Sequence, residues 1–95
     1  MALFILTCTD KLGALDLRMA TREAHLAYLR ERMSMIKVGG PLLDDAGAMV
    51  GSLLVIEADT AAEVEAFAAA DPYRTAGLFE QVSVRPWRLT VGGFA

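Results

Sequence analysis

The sequence predicts an α+β fold: one four-stranded antiparallel sheet with two helices packed on one of its faces. Three observations carry that expectation. Short apolar runs and helical periodicities follow one another in the order β-α-β-β-α-β, the order of that packing. Two of the apolar runs do not alternate, as expected of central strands buried on both faces. The prolines inside strands fall on the two runs that this topology puts at the sheet edges.

Ala2 to Cys8 is the first apolar run and reads as a strand bounded by Thr9-Asp10. Thr9 to Asp16 reads as a loop. Asp16 offers an N-cap for a helix from about Leu17 to Met33, with Met19, Leu26, Leu29 and Met33 as its inner stripe. Met35 to Leu43 is a second strand, interrupted by Gly39-Gly40-Pro41. Asp44-Asp45-Ala46-Gly47 has the chemistry of a hairpin turn. Met49 to Ala58 is a third strand, apolar on both faces through Leu53, Leu54, Val55 and Ile56. Asp59 or Thr60 caps a second helix, and Glu63 stands at capping-box spacing from Thr60. Val64, Phe67 and Ala68 form the inner stripe of that helix. Asp71-Pro72 ends it and opens a short helical turn to Leu78. Gln81 to Val91 is the fourth strand, and Gly92 to Ala95 a tail. The topology is ferredoxin-like, with spatial order 4-1-3-2. Pro41 then lies on edge strand 2 and Pro86 on edge strand 4.

The chain has 95 residues, 55% of them hydrophobic, and reads as one domain over 1–95. A body of this size buries only about 60–65% of the surface its unfolded chain exposes. Helices cover one sheet face, so the apolar side chains of the other predict a homodimer packed sheet to sheet. Charge is modest and apolar content high, which excludes disorder. No run approaches a membrane helix, and no membrane partner is expected. Residues 1–43 carry six basic against four acidic side chains, and residues 44–95 three against eight. Neither half is a basic patch with interleaved aromatics, so no nucleic-acid partner is expected. Met1 to Cys8 lacks a basic leader, and Asp10 and Lys11 follow early, unlike a signal peptide. Cys8 is the only cysteine, which leaves no internal disulfide and no cysteine zinc site. Cytoplasmic localisation and no metal are the expectations, since a lone His with scattered acids lacks ligand spacing.

The residues able to do chemistry are few. His25 is the only histidine. Arg18 and Arg22 precede it at spacings that put all three along one strip of the first helix. One reading is a boundary histidine with two snorkelling arginines, which residue types alone favour. The other is a proton-transfer group beside two anion-binding guanidiniums. Asp71-Pro72-Tyr73 reads first as a helix cap with proline at the first helical position. The same carboxylate could also hold an imidazole in one tautomer. Gly39-Gly40-Pro41 admits either close approach of a ligand or an edge-strand bulge, and Gly51-Ser52 is similarly open. Cys8 reads as a buried small apolar residue.

Taken together, Leu15-x-x-Arg18-x-x-x-Arg22-x-x-His25-Leu26, Gly39-Gly40-Pro41, Gly51-Ser52, Ala70-Asp71-Pro72-Tyr73, Ala76-Gly77 and Val82-Ser83-Val84-x-Pro86 resemble the YciI-like, or YCII-related, family over nearly the whole chain. The resemblance implies a dimeric α/β barrel of ferredoxin-like topology. It implies an active pair at His25 and Asp71, with Arg18, Arg22, Ser52 and Tyr73 as further pocket positions. One characterised relative eliminates chloride from a chlorinated hydroxyquinol, and the wider fold group includes muconolactone isomerase and small monooxygenases. Gln81 stands where some relatives carry a second His.

The expectation is therefore a small-molecule enzyme acting without a cofactor. Its chemistry would be His/Asp proton transfer on a small anionic ring compound, of dehydrochlorinase, isomerase or lyase type. His25 and Asp71 are its catalytic residues, and Arg18, Arg22, Ser52 and Tyr73 bind substrate. The alternative is a non-catalytic small-anion-binding or dimerisation module with a regulatory role.

Overall fold

The structure, a computed structural model, describes residues 1–94. Its elements are β1 (Ala2–Asp10), α1 (Leu15–Arg30), β2 (Ile36–Leu43), β3 (Met49–Ala58), α2 (Ala61–Ala69), the short α3 (Pro72–Thr75) and β4 (Phe79–Trp87). The strands form one antiparallel sheet in the order β2-β3-β1-β4, the expected order. Pro41 and Pro86 do lie on its two edge strands. There a missing N–H costs no hydrogen bond to a second neighbour.

Local chemistry explains the turns and caps. Asp44 accepts from the N–H groups of Ala46 and Ala48, both at 2.9 Å, and Gly47 takes φ +86° to close the β2–β3 hairpin. Thr60 is the N-cap of α2, its hydroxyl accepting from Glu63 N–H. Asp71 is the N-cap of α3, with Pro72 at the first helical position.

The core lies between the sheet and the helices. Phe4, Leu6 and Cys8 of β1 and Leu54, Ile56 and Ala58 of β3 point to the helix side. There they meet Val64, Phe67 and Ala68 of α2. On the other face Leu3, Ile5 and Leu53 are half-buried, and no helix lies over them.

Several boundaries and one face depart from the sequence reading; β2 starts at Ile36, α3 ends at Thr75 and β4 starts at Phe79, small shifts at the ends of expected elements. β1 runs on to Asp10, since the alternation that sends Leu6 and Cys8 inward also turns Asp10 inward. α1 begins after Ala14 with no side-chain cap; Asp16 lies in its first turn, where a negative charge suits the helix dipole. The helix ends at Arg30, and Met19 and Met33 are half or more exposed, at 50% and 56%. Its buried side chains are Arg18 and His25. The reason is packing. α1 leans chiefly on α3, while α2 covers the sheet. The inner face of α1 therefore borders a cleft over much of its length, and Tyr28 and Leu29 are what it packs against the core. β4 stops at Trp87, which faces Leu3, the terminal pair of the β1–β4 ladder. Of the predicted tail, Ala95 lies outside the described residues.

Candidate active site

Four elements meet at the cleft between α1 and the β2–β3 side of the sheet. α1 contributes Arg18, Arg22 and His25 at i, i+4 and i+7, one strip of its surface. β1 contributes Asp10 from its last position, and β3 contributes Ser52, which faces Cys8 across the ladder. α3 contributes its cap Asp71 and Tyr73.

Two buried acid–base pairs organise these groups. Arg18 Nε donates to Asp10 Oδ2 at 2.7 Å and Nη2 donates to Oδ1 at 2.9 Å, a two-point clasp. Nη2 also donates to Ser52 Oγ at 2.9 Å. Burial works against the Arg18 charge, but the hydrogen bonds and charge of Asp10 outweigh it, and its pKa lies above the ordinary arginine value. In the second pair, His25 Nδ1 lies 2.9 and 3.0 Å from the two Asp71 carboxylate oxygens. A carboxylate only accepts, so the Nδ1 proton points to Asp71 and Nε2 is left free of it. Asp71 Oδ1 also accepts from Tyr73 N–H at 2.8 Å. The cap and the imidazole are thus served by one carboxylate.

Tyr73 links the pairs. Its ring stacks on the His25 imidazole, centroids 3.9 Å apart and 14° from parallel. Arg18 Cζ lies 4.6 Å from the same ring centroid, a cation–π contact. Burial pushes the Tyr73 phenol above its ordinary value, against the opposing pull of Arg18 and Arg22, so it stays protonated at neutral pH. No buried side-chain nitrogen or oxygen among the described residues lacks a partner. Among the described residues His25 Nε2 has no hydrogen-bond partner, so it reaches the open space of the cleft.

That cleft holds about 320 Å³. Arg18, Arg22, His25, Ser52 and Tyr73 line its polar end. Asp71 sits behind His25, outside the lining. The rest is apolar except for Lys37: Leu26, Leu29 and Met33 from the α1 side, and Ile36, Met49 and Leu54 from the sheet. Gly39 forms part of the β2 wall, and a Cβ there would collide with the Leu54 side chain. The structure therefore brings His25, Asp71, Arg18, Ser52 and Tyr73 into direct contact, with Arg22 on the same wall. Cys8 lies nearby, buried, and burial with the Asp71 charge pushes its thiol up to about 12. It is no nucleophile at neutral pH. Among the described residues no three His, Cys, Asp or Glu side chains gather as metal ligands would.

Asp10 and Lys37 are the polar members that sequence reasoning missed. For Asp10 the signal was there: Phe4, Leu6, Cys8 and Asp10 alternate along β1, so an inward strand face ends on an inward acid. The apolar wall was missed too, because Met33 was expected in the core.

The small α+β domain that carries this cleft has solved relatives. The chain belongs to the YCII-related domain family, whose model matches residues 2–88. It is 34% identical over 94 residues to the YciI proteins of Escherichia coli and Shigella flexneri, covering 90% of this chain and 96% of each of those. Among solved structures it is similar to the 5-chloro-2-hydroxyhydroquinone dehydrochlorinase of Burkholderia phenoliruptrix in complex with 2,5-dihydroxybenzoquinone. That match has a TM-score of 0.84 and 40% identity, over 90% of this chain and 93% of the other. A protein of Agrobacterium tumefaciens, 18% identical with a TM-score of 0.57 over 95% of this chain and 94% of its own, shares the fold.

Proposed function

We propose that this chain is a small-molecule enzyme in which His25 moves a proton on a small anionic ring compound, in a reaction of dehydrochlorinase, isomerase or lyase type. The observation that carries the reading is the His25–Asp71 pair. Nδ1 is tethered to a buried carboxylate and Nε2 opens on a cleft beside Arg22. Asp71 orients the ring and stabilises the imidazolium that forms when Nε2 takes a proton. Arg22 holds the negative charge on a substrate oxygen. Arg18, already clasped by Asp10, contributes through Ser52 and Tyr73 as much as by its own charge. A relative of 40% identity, solved with a dihydroxybenzoquinone, supports the substrate class.

The chemistry needs no metal or organic cofactor. Loss of HCl from a chlorinated hydroxyhydroquinone removes one proton and one chloride. Two ring hydroxyls become carbonyls, and the carbon that bore chlorine gains hydrogen. A base that takes a hydroxyl proton and returns one to a ring carbon suffices. The test is chloride release and quinone absorbance for wild type and His25→Ala on a panel of chlorinated hydroxyhydroquinones and lactones. Turnover by wild type that falls at least about 100-fold in the variant is expected. Equal activity, or inert wild type, refutes the reading. If wild type is inert but binds the compounds and Arg22→Ala does not, the anion-binding module stands in its place.

The same proposal includes a homodimer in a reducing cytoplasm. Leu3, Ile5, Leu53 and Trp87 share the sheet face that no helix covers, and burying them favours a second copy. Light scattering should give twice the chain mass, and a monomer at micromolar concentration would refute it.

A further inference from the structure

Building on that catalytic reading, we infer that the ring compound carries an uncharged apolar substituent, which lies along α1 away from His25. The cleft has two chemically different ends. The polar end holds Arg22, His25 and Tyr73. The other end is walled by Leu29, Met33, Ile36 and Leu54. Arg22 and Leu29 are seven residues apart on one helix, about 10 Å along its axis. A bare dihydroxybenzoquinone carries oxygen on opposite sides of its ring and is shorter than that span. Seated with an oxygen on Arg22 and a proton within reach of His25 Nε2, it leaves the Leu29–Met33 end in contact with water alone. An apolar wall facing water gains from an apolar occupant, and the occupant that shares the cleft with the ring is a substituent on it.

The charges agree. Arg22 has no carboxylate partner among the described residues. The cation at the apolar end, Lys37, is paired with Glu57 at 3.1 Å. One end therefore offers an unspent positive charge and the other does not, so the anionic group belongs beside Arg22 and the far end of the molecule is neutral. The β2 wall fits the same shape. Gly39 has no side chain, and Leu54 leans into the space it leaves, which keeps that wall apolar up to the helix.

The experiment is calorimetric titration of 2,5-dihydroxybenzoquinone and its 3-propyl derivative into the full chain and three variants. Each buried methylene tightens binding about three- to fourfold, so the propyl compound should bind at least about tenfold tighter to wild type. Leu29→Trp fills the apolar end and should abolish that preference, so that the two compounds bind the variant alike. Met33→Asn, at an exposed position that folding does not depend on, should reduce the preference as well. Arg22→Ala should weaken both compounds together. Equal or weaker binding of the propyl compound to wild type overturns the inference and leaves the catalytic reading intact. So does a preference that survives both Leu29→Trp and Met33→Asn. Failure of wild type to bind either compound overturns both.

Discussion

Asp10→Asn should be among the most damaging near-isosteric substitutions in this chain. It keeps the shape of the side chain and removes its charge. The Arg18 guanidinium is only 3% exposed and directs Nε and Nη2 at the two carboxylate oxygens. An amide offers one acceptor there and turns an N–H₂ toward the other donor. Removing one partner of a buried ion pair costs about 3–5 kcal/mol, because the remaining charge is stranded away from water. A domain of this length holds roughly 5–14 kcal/mol in all, at about 0.05–0.15 kcal/mol per residue. The loss is thus a large share of the total, and the thermal midpoint should fall by at least about 12 °C. Urea unfolding of wild type, Asp10→Asn, Arg18→Met and the double variant measures it. Replacing a whole buried pair by apolar groups is often close to neutral, so the double variant should recover more than half of the single-variant loss. A loss below about 1 kcal/mol, the worth of an exposed pair, would refute the reasoning. So would a double variant as unstable as the sum of its parts.

Asp71→Asn should separate capping from catalysis. Asparagine caps as well as aspartate, so stability should change little, while turnover should drop by roughly 10²–10⁴ as the imidazole loses its anionic tether; unchanged turnover in a steady-state assay would contradict this. Gly51→Ala should cost about 1–3 kcal/mol in urea unfolding, because its Cβ meets the Cys8 carbonyl oxygen in the ladder. Gly40→Ala, with nothing within 4 Å of the added carbon, should stay within about 0.5 kcal/mol. The Cys8 thiol, raised from 9.0 to about 12, should resist a disulfide reagent at pH 8 in the folded chain and react once the chain is unfolded. Its raised value means the folded state holds the proton longer. Stability from this group is complete below pH 9 and is lost as pH climbs from there toward 12, which unfolding curves across that range can check.

Those residues also show where reading the sequence worked. Pro41 and Pro86 placed two strands at the edges, because a missing N–H is a topological fact wherever it occurs. Thr60 and Asp71 announced helix starts through short-range chemistry, which the rest of the fold does not override. The first helix was different. Its Met19-to-Met33 stripe has helical period, but period says only that a face is apolar, not what lies opposite. Because α1 rests chiefly on α3 and meets the sheet mainly through Arg18, that face borders a cleft, and the groups it buries are Arg18 and His25. The end of β4 was beyond local reading for a related reason. Trp87 is the last residue with a β1 partner, and partner length is not written in the strand itself. Asp10 was legible in principle, since it continues an inward alternation, but an acid after an apolar run looks like the start of a loop.

The missed aspartate explains why the site can work as a site. α1 brings three potential cations, Arg18, Arg22 and His25, along one strip toward two buried carboxylates, Asp10 and Asp71. An arginine binds a carboxylate in two-point fashion and would outcompete an imidazole for Asp71 if it were free to reach it. Asp10 removes that competition by clasping Arg18 through both oxygens. Asp71 is then left to His25 and to the Tyr73 N–H. Clasped in this way, Arg18 spends its charge inside the protein and keeps its place over the Tyr73 ring, whose stacking on the imidazole helps fix its plane. Arg22 has no such partner among the described residues. Two carboxylates thus consume one arginine and tether the histidine, and Arg22 is the α1 cation left for an anionic ligand to neutralise, Lys37 across the cleft being paired with Glu57. Without Asp10, Arg18 would be a second guanidinium with no carboxylate of its own on the strip that carries His25, free to compete for the oxygens that now fix the imidazole.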